Sequence, residues 1–109
     1  MLIDVLGTKY TVTVAHKKDD RTLENCDGYC DKTTKQIVVK AQEEDDDLGD
    51  YDVYLKKVKR HEIVHAFLFE SGLHENFKHD QWGHDETLVD WIAVQFPKLQ
   101  KAFKDADAL

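Results

Sequence analysis

Residues Tyr51 to Ser71 have the sequence YDVYLKKVKRHEIVHAFLFES, which is the longest helical pattern in the chain. Apolar residues recur in it at intervals of three and four, the spacing of one face of an α-helix. They are Val53, Leu55, Val58, Val64, Phe67 and Leu68. Gly72 follows directly and suits the left-handed conformation that ends many helices. We therefore predict a helix from Tyr51 to Ser71 with Gly72 as its C-cap.

This helix contains an HExxH motif formed by His61, Glu62 and His65. Positions i and i+4 lie one turn apart on the same face of a helix, so the two imidazoles can bind one tetrahedral Zn²⁺ at ~2.0–2.1 Å each. Glu62 lies beside the metal and can take a proton from a zinc-activated water. The alternative is a coincidental pattern: two surface histidines and an unrelated glutamate.

A second helical pattern begins near Asp85. Its apolar positions are Leu88, Val89, Ile92, Ala93 and Phe96. Pro97 lacks a backbone N–H, so we expect the helix to end or kink there. Residues Lys98 to Ala106 can continue as a short helix with Pro97 at its first position.

A catalytic zinc needs a third protein ligand and an open fourth position. Glu86 lies at the start of the second helix and is our candidate for that ligand, although acids are common at helix N-termini for electrostatic reasons. Asp90 follows one turn later on the same face, where it can accept the second ring N–H of a ligand histidine. His84 is the competing third ligand, and it would make a three-histidine site.

Strand patterns precede both helices. Leu2 to Val14 alternates and is interrupted at Gly7 to Lys9, which predicts two short strands joined by a turn. Lys35 to Lys40 is a further strand candidate, paired with Gly28 to Cys30 through a turn at Asp31 to Thr34. We expect one α+β domain over residues 1–109, with a small N-terminal antiparallel sheet packed on both helices.

Composition excludes several functional classes. The 109 residues are 41% hydrophobic and 34% charged, as expected of a globular domain. A net charge of −7 argues against nucleic acid as a primary partner. No apolar run approaches the ~20 residues of a membrane helix, and Met1 to Val14 lacks the pattern of a signal peptide. We therefore predict a cytoplasmic protein with no membrane partner.

Two smaller features have alternative interpretations. Cys26 and Cys30 are expected to be free thiols in a reducing compartment, with a disulfide or a second metal site as alternatives. The acidic run from Glu43 to Asp47 lacks the spacing of an EF-hand loop. We expect it to be a solvated loop facing the positive end of the next helix, rather than a calcium site.

HEIVH followed by ETLVD at Glu86 to Asp90 resembles the HExxH…ExxxD signature of the gluzincin (thermolysin-like) metallopeptidases. The resemblance covers roughly residues 28–96, and the small size resembles the minimal gluzincins, or minigluzincins. It also resembles the phage- and mobile-element-encoded peptidases of the ImmA/IrrE type, some of which cleave repressors. The resemblance implies that His61, His65 and Glu86 are zinc ligands. It further implies that Glu62 is the general base and Asp90 the residue that orients a ligand histidine.

The function implied is hydrolysis of a protein or peptide substrate by a zinc-dependent peptidase. Larger gluzincins have a further domain with a His or Tyr that stabilises the oxyanion, and the local candidates for that role here are Tyr29, His74, His79 and His84. If the strand from Gln36 to Lys40 forms the sheet edge, it can hold an extended substrate by strand addition. The alternative function is a catalytically inactive zinc-binding domain that sequesters a protein partner. The third possibility is that the chain binds no metal and that the histidines only lie on one face of a helix.

Overall fold

The computed structural model describes residues 1–75 and 86–109, and at five of these positions (75, 86, 89, 90 and 93) it describes the backbone alone. Four strands are followed by two long helices. The strands are β1 (Leu2–Val5), β2 (Thr8–Ala15), β3 (Gly28–Asp31) and β4 (Gln36–Lys40), and the helices are α1 (Tyr51–Ser71) and α2 (Glu86–Asp105). Short 3-10 turns lie at Arg21–Glu24 and Leu73–Glu75.

The four strands form one sheet in the order β1-β2-β4-β3. Both predicted hairpins, β1 with β2 and β3 with β4, are confirmed as antiparallel pairs. The central pair, β2 with β4, is parallel, so the prediction of a purely antiparallel sheet is wrong. The reason is the apolar run Ile37 to Val39, which is buried throughout, as expected of a strand covered on both faces. That run occupies the centre of the sheet, and β3 is left at the edge.

The first hairpin turns at Leu6 and Gly7. Both residues have positive φ angles, 52° and 93°, as a two-residue turn that follows the natural strand twist requires. The Asp4 carboxylate accepts the Gly7 N–H at 2.8 Å and closes the turn. This places β2 so that Tyr10 and Val12 are buried while Lys9, Thr11 and Thr13, which alternate with them, are exposed.

The sheet and both helices share one hydrophobic core. One face of the sheet contributes Ile3, Val5, Tyr10, Val12, Ile37 and Val39. Helix α1 contributes Val58, Ile63, Ala66 and Phe67, and the C-terminal part of the chain contributes Leu99, Ala102, Ala106 and Ala108. Full burial of each large apolar side chain stabilises the fold by about 1.5–3 kcal/mol.

The bounds predicted for α1 are confirmed. The Asp50 carboxylate accepts the Val53 N–H at the start of the helix, and Gly72 ends it with a φ of 85°. The buried face of α1 differs from the one that the apolar pattern predicts, because it includes the charged residues Lys59 and Glu62, and Val53 is 63% exposed. A hydrophobic pattern could not locate a face that contains two charges.

Helix α2 continues through Pro97 to Asp105, so it does not end at the proline, and the prediction that the chain can stay helical after Pro97 is confirmed. A proline inside a helix removes one backbone hydrogen bond. Downstream of it, Leu99 and Ala102 are buried in the core, which favours continuing the helix. Neither α1 nor α2, taken over the residues that the structure describes, is long and apolar enough to cross a membrane.

Two basic residues of α1 hold the end of α2. The Lys59 ammonium, in a side chain only 5% exposed, donates to the Ala106 carbonyl at 3.1 Å. The Arg60 guanidinium donates to the Ala108 carbonyl at 2.7 Å. The Ala106 carbonyl directly follows the last residue of α2, where a helix leaves carbonyl groups without partners, and the two bonds together hold the C-terminal segment against α1 next to His61.

The C-terminal end of α1 is held to the sheet by Glu70. Its carboxylate accepts hydrogen bonds from the Lys35 ammonium at 2.6 Å, the Tyr10 hydroxyl at 2.7 Å and the Thr8 hydroxyl at 3.3 Å. The Lys35 hydrogen bond is the largest reason why the pKa of Glu70 lies below its ordinary value. Helix α1 is thus anchored at its middle, through Lys59 and Arg60, and near its C-terminal end, through Glu70, with His61 and His65 between the two anchors.

Candidate metal centre

His61 and His65 present their imidazoles side by side on α1. Their Nε2 atoms lie 3.1 Å apart, and the ring centroids are 4.8 Å apart. Two nitrogens bound at ~2.0–2.1 Å to one tetrahedral zinc lie about 3.3 Å apart. The observed separation therefore suits two ligands of a single metal ion.

Glu62 completes a group of three ligand-type side chains. One ligand atom from each of His61, Glu62 and His65 lies within 4.8 Å of the other two, and such a group can hold a metal ion. His61 is exposed, whereas Glu62 is only 6% exposed. Burial raises the pKa of the Glu62 carboxyl, and the two neighbouring histidines oppose this rise. The group thus combines accessible nitrogens with a buried carboxyl whose pKa lies above its ordinary value.

Strand β3 lies close against α1 at Gly28. A Cβ atom at Gly28 would lie 2.9 Å from Val58 Cγ1, closer than real Cβ contacts, and 3.1 Å from the Val38 carbonyl oxygen, which is tighter than most of them. Val58 precedes His61 by about one turn of α1. A glycine is therefore required for the edge strand to lie against the HExxH turn.

In the part of the chain that the structure describes, β3 is the edge strand of the sheet beside the histidines. The Lys40 N–H donates to the Asp27 carbonyl at 2.8 Å. In an antiparallel pair every second residue bonds to the partner strand, so this bond shows which residues of β3 face β4. By that alternation, the N–H and C=O groups of Gly28 and Cys30 point away from β4. The condition set for strand addition to Gln36–Lys40, that it forms the sheet edge, is not met, because β4 lies between β2 and β3.

Two cavities flank the HExxH turn, and Gly28, His61 and Glu62 line both. One, of about 320 Å³, continues past His65 to Phe69 along β3; its full lining is Gly28, Tyr29, Cys30, His61, Glu62, His65 and Phe69. The other, of about 300 Å³, extends back along α1; its full lining is Cys26, Asp27, Gly28, Tyr54, Lys57, Val58, His61 and Glu62.

The sequence reasoning missed Tyr54, Lys57 and Asp27. Tyr54 precedes His61 by seven residues, so the two share a face of α1 two turns apart, and that spacing was a usable signal. The Tyr54 hydroxyl donates to the Asp27 carboxylate, and the Lys40 ammonium lies 3.2 Å from the same carboxylate. The Tyr54 hydrogen bond is the main reason why the pKa of Asp27 is lowered. No sequence pattern indicates that Asp27 lies beside Tyr54, because the two residues are 27 positions apart.

Two of the oxyanion candidates can be located. The Tyr29 hydroxyl donates to the Asp20 carboxylate at 2.5 Å, a bond that raises the pKa of Tyr29 to about 12. His74 packs edge-to-face on Phe69 with centroids 4.6 Å apart, and Phe69 in turn stacks on His65 at 6.3 Å. His74 therefore joins the aromatic row that begins at His61, whereas the Tyr29 hydroxyl is already engaged.

The remaining predicted site residues are Glu86, Asp90, His79 and His84. Glu86 is the first residue of α2 and Asp90 follows one turn later, but their side chains are outside the described part of the structure. His79 and His84 also lie outside the described residues. The choice between Glu86 and His84 as third ligand stays a prediction.

Neither cysteine belongs to the ligand-type group formed by the described residues. Both are free thiols. Cys26 donates through Sγ to the Thr22 carbonyl at 3.3 Å. Burial raises the pKa of the Cys30 thiol to about 12, which keeps it protonated at neutral pH.

Comparison with known proteins finds no matching family model, no matching curated protein and no matching solved structure. The resemblance to the gluzincins therefore rests on the two sequence motifs. The geometry of His61, Glu62 and His65 is independent of that resemblance and has to be judged by its own chemistry.

Proposed function

We propose that this chain is a zinc-dependent peptidase. The observation that carries the proposal is the pair of Nε2 atoms 3.1 Å apart at His61 and His65, with the buried Glu62 carboxyl beside them. A helical face with unrelated histidines gives no reason for a buried acid to adjoin both rings.

The donor set suits zinc. Two imidazole nitrogens and one carboxylate oxygen are a known ligand set of catalytic zinc sites that keep a position open. In the proposal His61 and His65 supply the nitrogens, Glu86 supplies the oxygen, and Asp90 accepts a ring N–H from one histidine. When bound, the ion supplies Lewis-acid chemistry, which activates water and polarises a carbonyl group.

Glu62 moves the proton in this proposal. Its carboxylate takes a proton from the attacking water and returns it to the leaving amine as the peptide bond breaks. Burial, which raises the pKa of Glu62, helps the side chain to hold that proton between the two transfers.

The edge of β3 binds the substrate backbone. An extended peptide can pair with the outward N–H and C=O groups of Gly28 and Cys30, which line the cavity shared with His61 and Glu62. This pairing lays a peptide bond across the HExxH turn. It replaces the role that the sequence suggested for Gln36–Lys40.

A second candidate function is the sequestering of a protein partner by a zinc-binding but inactive domain. It draws on the exposed apolar residues Leu88, Ile92 and Phe96, which follow one another at intervals of four on α2 and are 39%, 47% and 51% exposed. Glu62 separates the two functions, because sequestering needs no proton carrier.

Digestion of a random peptide library by the zinc-loaded protein, with products identified by mass spectrometry, tests the proposal. We expect cleavage by the parent and by Glu24→Gln, a matched change at an exposed glutamate. Cleavage should be absent from Glu62→Gln. Cleavage by Glu62→Gln at the parent rate, or none by a parent shown to contain zinc, would overturn the peptidase.

A further inference from the structure

The cavity that extends from His61 back to Tyr54 differs from its neighbour in chemistry. Its volume is about 300 Å³, and its polar wall consists of Asp27, Tyr54 and Lys57. Because the HExxH turn forms its inner end, a peptide bound there can place one side chain into it. The charges on its wall then decide which side chain fits.

The Asp27 carboxylate already has two partners within the protein. It accepts the Tyr54 hydroxyl and forms an ion pair with Lys40 at 3.2 Å. These contacts lower the pKa of Asp27, which shows that the ionised form is already stabilised from within the protein. A basic ligand would have to compete with Lys40 for this carboxylate.

Lys57 is the cation of this wall, and none of the acids in the described part of the chain bonds to it. Its side chain is exposed, and its ammonium lies 5.7 Å from the centroid of the Tyr54 ring. Among residues 1–75 and 86–109 it forms no ion pair within bonding distance; its effect on Asp27 is weaker than that of Lys40. A positive charge that pairs with no carboxylate of the described residues therefore lies at the cavity wall.

We propose that this cavity is a specificity subsite for an acidic side chain of the substrate, aspartate or glutamate, recognised by Lys57. The carboxylate of the ligand meets the Lys57 ammonium, while Val58 and the Tyr54 ring contact its methylene groups. The inference rests on the proposed peptidase function and names its substrate class: peptides with an acidic residue beside the cleaved bond.

The test measures binding and cleavage separately. A random peptide library is passed over immobilised Glu62→Gln protein with zinc added, and retained peptides are sequenced; the same library is digested by the parent. We expect acidic residues to be enriched about fivefold at one position, the scale of a partly exposed ion pair. Lys57→Glu should replace that preference with a basic one.

Lys56→Glu is the matched control, because it makes the same charge change on the adjacent residue, which pairs with Asp52 and does not line the cavity. It should leave the acidic preference intact. A preference unchanged by Lys57→Glu, or equally lost in Lys56→Glu, would overturn the subsite.

The two readouts separate this inference from the function on which it rests. Acidic enrichment without cleavage by the parent would refute the peptidase and keep the subsite. Cleavage without an acidic preference would refute the subsite and keep the peptidase. If the library is neither retained nor cleaved, both are wrong.

Discussion

Helix α1 buries two charged side chains, Lys59 and Glu62, which differ in what surrounds them. Lys59 donates to a backbone carbonyl of the C-terminal segment, so its charge is satisfied within the fold. Glu62 lies between two histidines, and its carboxylate accepts no hydrogen bond from the described residues; burial raises its pKa. A buried charge with a fixed partner is a structural element, whereas one that faces ligand-type nitrogens is available for chemistry.

The largest effect that separates these two residues is on catalysis. Glu62→Gln removes the proton carrier but keeps the size of the side chain, so turnover should fall by about 10²- to 10⁴-fold, the usual contribution of general acid–base catalysis. Zinc content should stay at the parent level, because glutamine leaves both histidines in place. Steady-state kinetics and elemental analysis of the same preparation provide the check. Equal loss of zinc and turnover would mean that Glu62 acts through the metal site's structure.

Lys59→Met should lower stability and leave zinc binding and turnover unchanged. The Ala106 carbonyl would lose its donor in a buried setting, which costs about 1–3 kcal/mol of unfolding free energy. Urea denaturation measures this change, while zinc affinity and turnover of the folded protein should match the parent. If Lys59→Met lost zinc but kept its stability, the distinction between the two buried charges would be wrong.

Gly28→Ala tests the approach of β3 to the HExxH turn. The added Cβ would meet Val58 Cγ1 at 2.9 Å. We therefore expect the free energy of unfolding, measured by urea denaturation, to fall by about 1–3 kcal/mol, the typical cost of overpacking. Gly49→Ala is the control, because a Cβ there has no neighbour within 4 Å. Gly28→Ala should cost less in a Val58→Ala background than in the parent, because the clashing methyl group is then absent. An equal cost in both backgrounds would mean that the Val38 carbonyl, rather than Val58, limits the approach.

The smallest effect concerns pH and the anchor at Glu70. The pKa of Glu70 is lower in the fold than in the unfolded chain. Its contribution is therefore complete above the unfolded value and is lost as pH falls through the folded one. Between about pH 6 and about pH 3, the parent should lose up to about 1 kcal/mol more stability than Glu70→Gln. Parallel denaturation curves at the two pH values would show it; equal losses would remove Glu70 as a charged anchor.

Local chemistry in the sequence predicted the local structure well. The turn at Gly7, the hairpin around Asp31 to Thr34 and the end of α1 at Gly72 are all confirmed, since each depends on a few neighbouring residues. HEIVH likewise placed two histidines on one helical turn, because a spacing of four on a helix fixes that relation.

The errors concern contacts between distant segments. Strand order depends on which strand is covered on both faces. The apolar strand β4 takes the central place beside β2, and β3 lies at the edge. Pro97 is tolerated because the residues after it are buried in the core. The cavity wall at Asp27 and Tyr54 joins two segments 27 residues apart, a contact that no local pattern records.

Zinc content per chain tests the central claim most directly. The parent, purified without added metal or chelator, should contain about one zinc by elemental analysis, as two histidines and a carboxylate on one site predict. His65→Ala should lose it, Glu86→Ala should hold clearly less, and His16→Ala, a matched change at an exposed histidine away from the site, should match the parent. A parent without zinc even after reconstitution, or a His65→Ala variant that keeps it, would contradict the account.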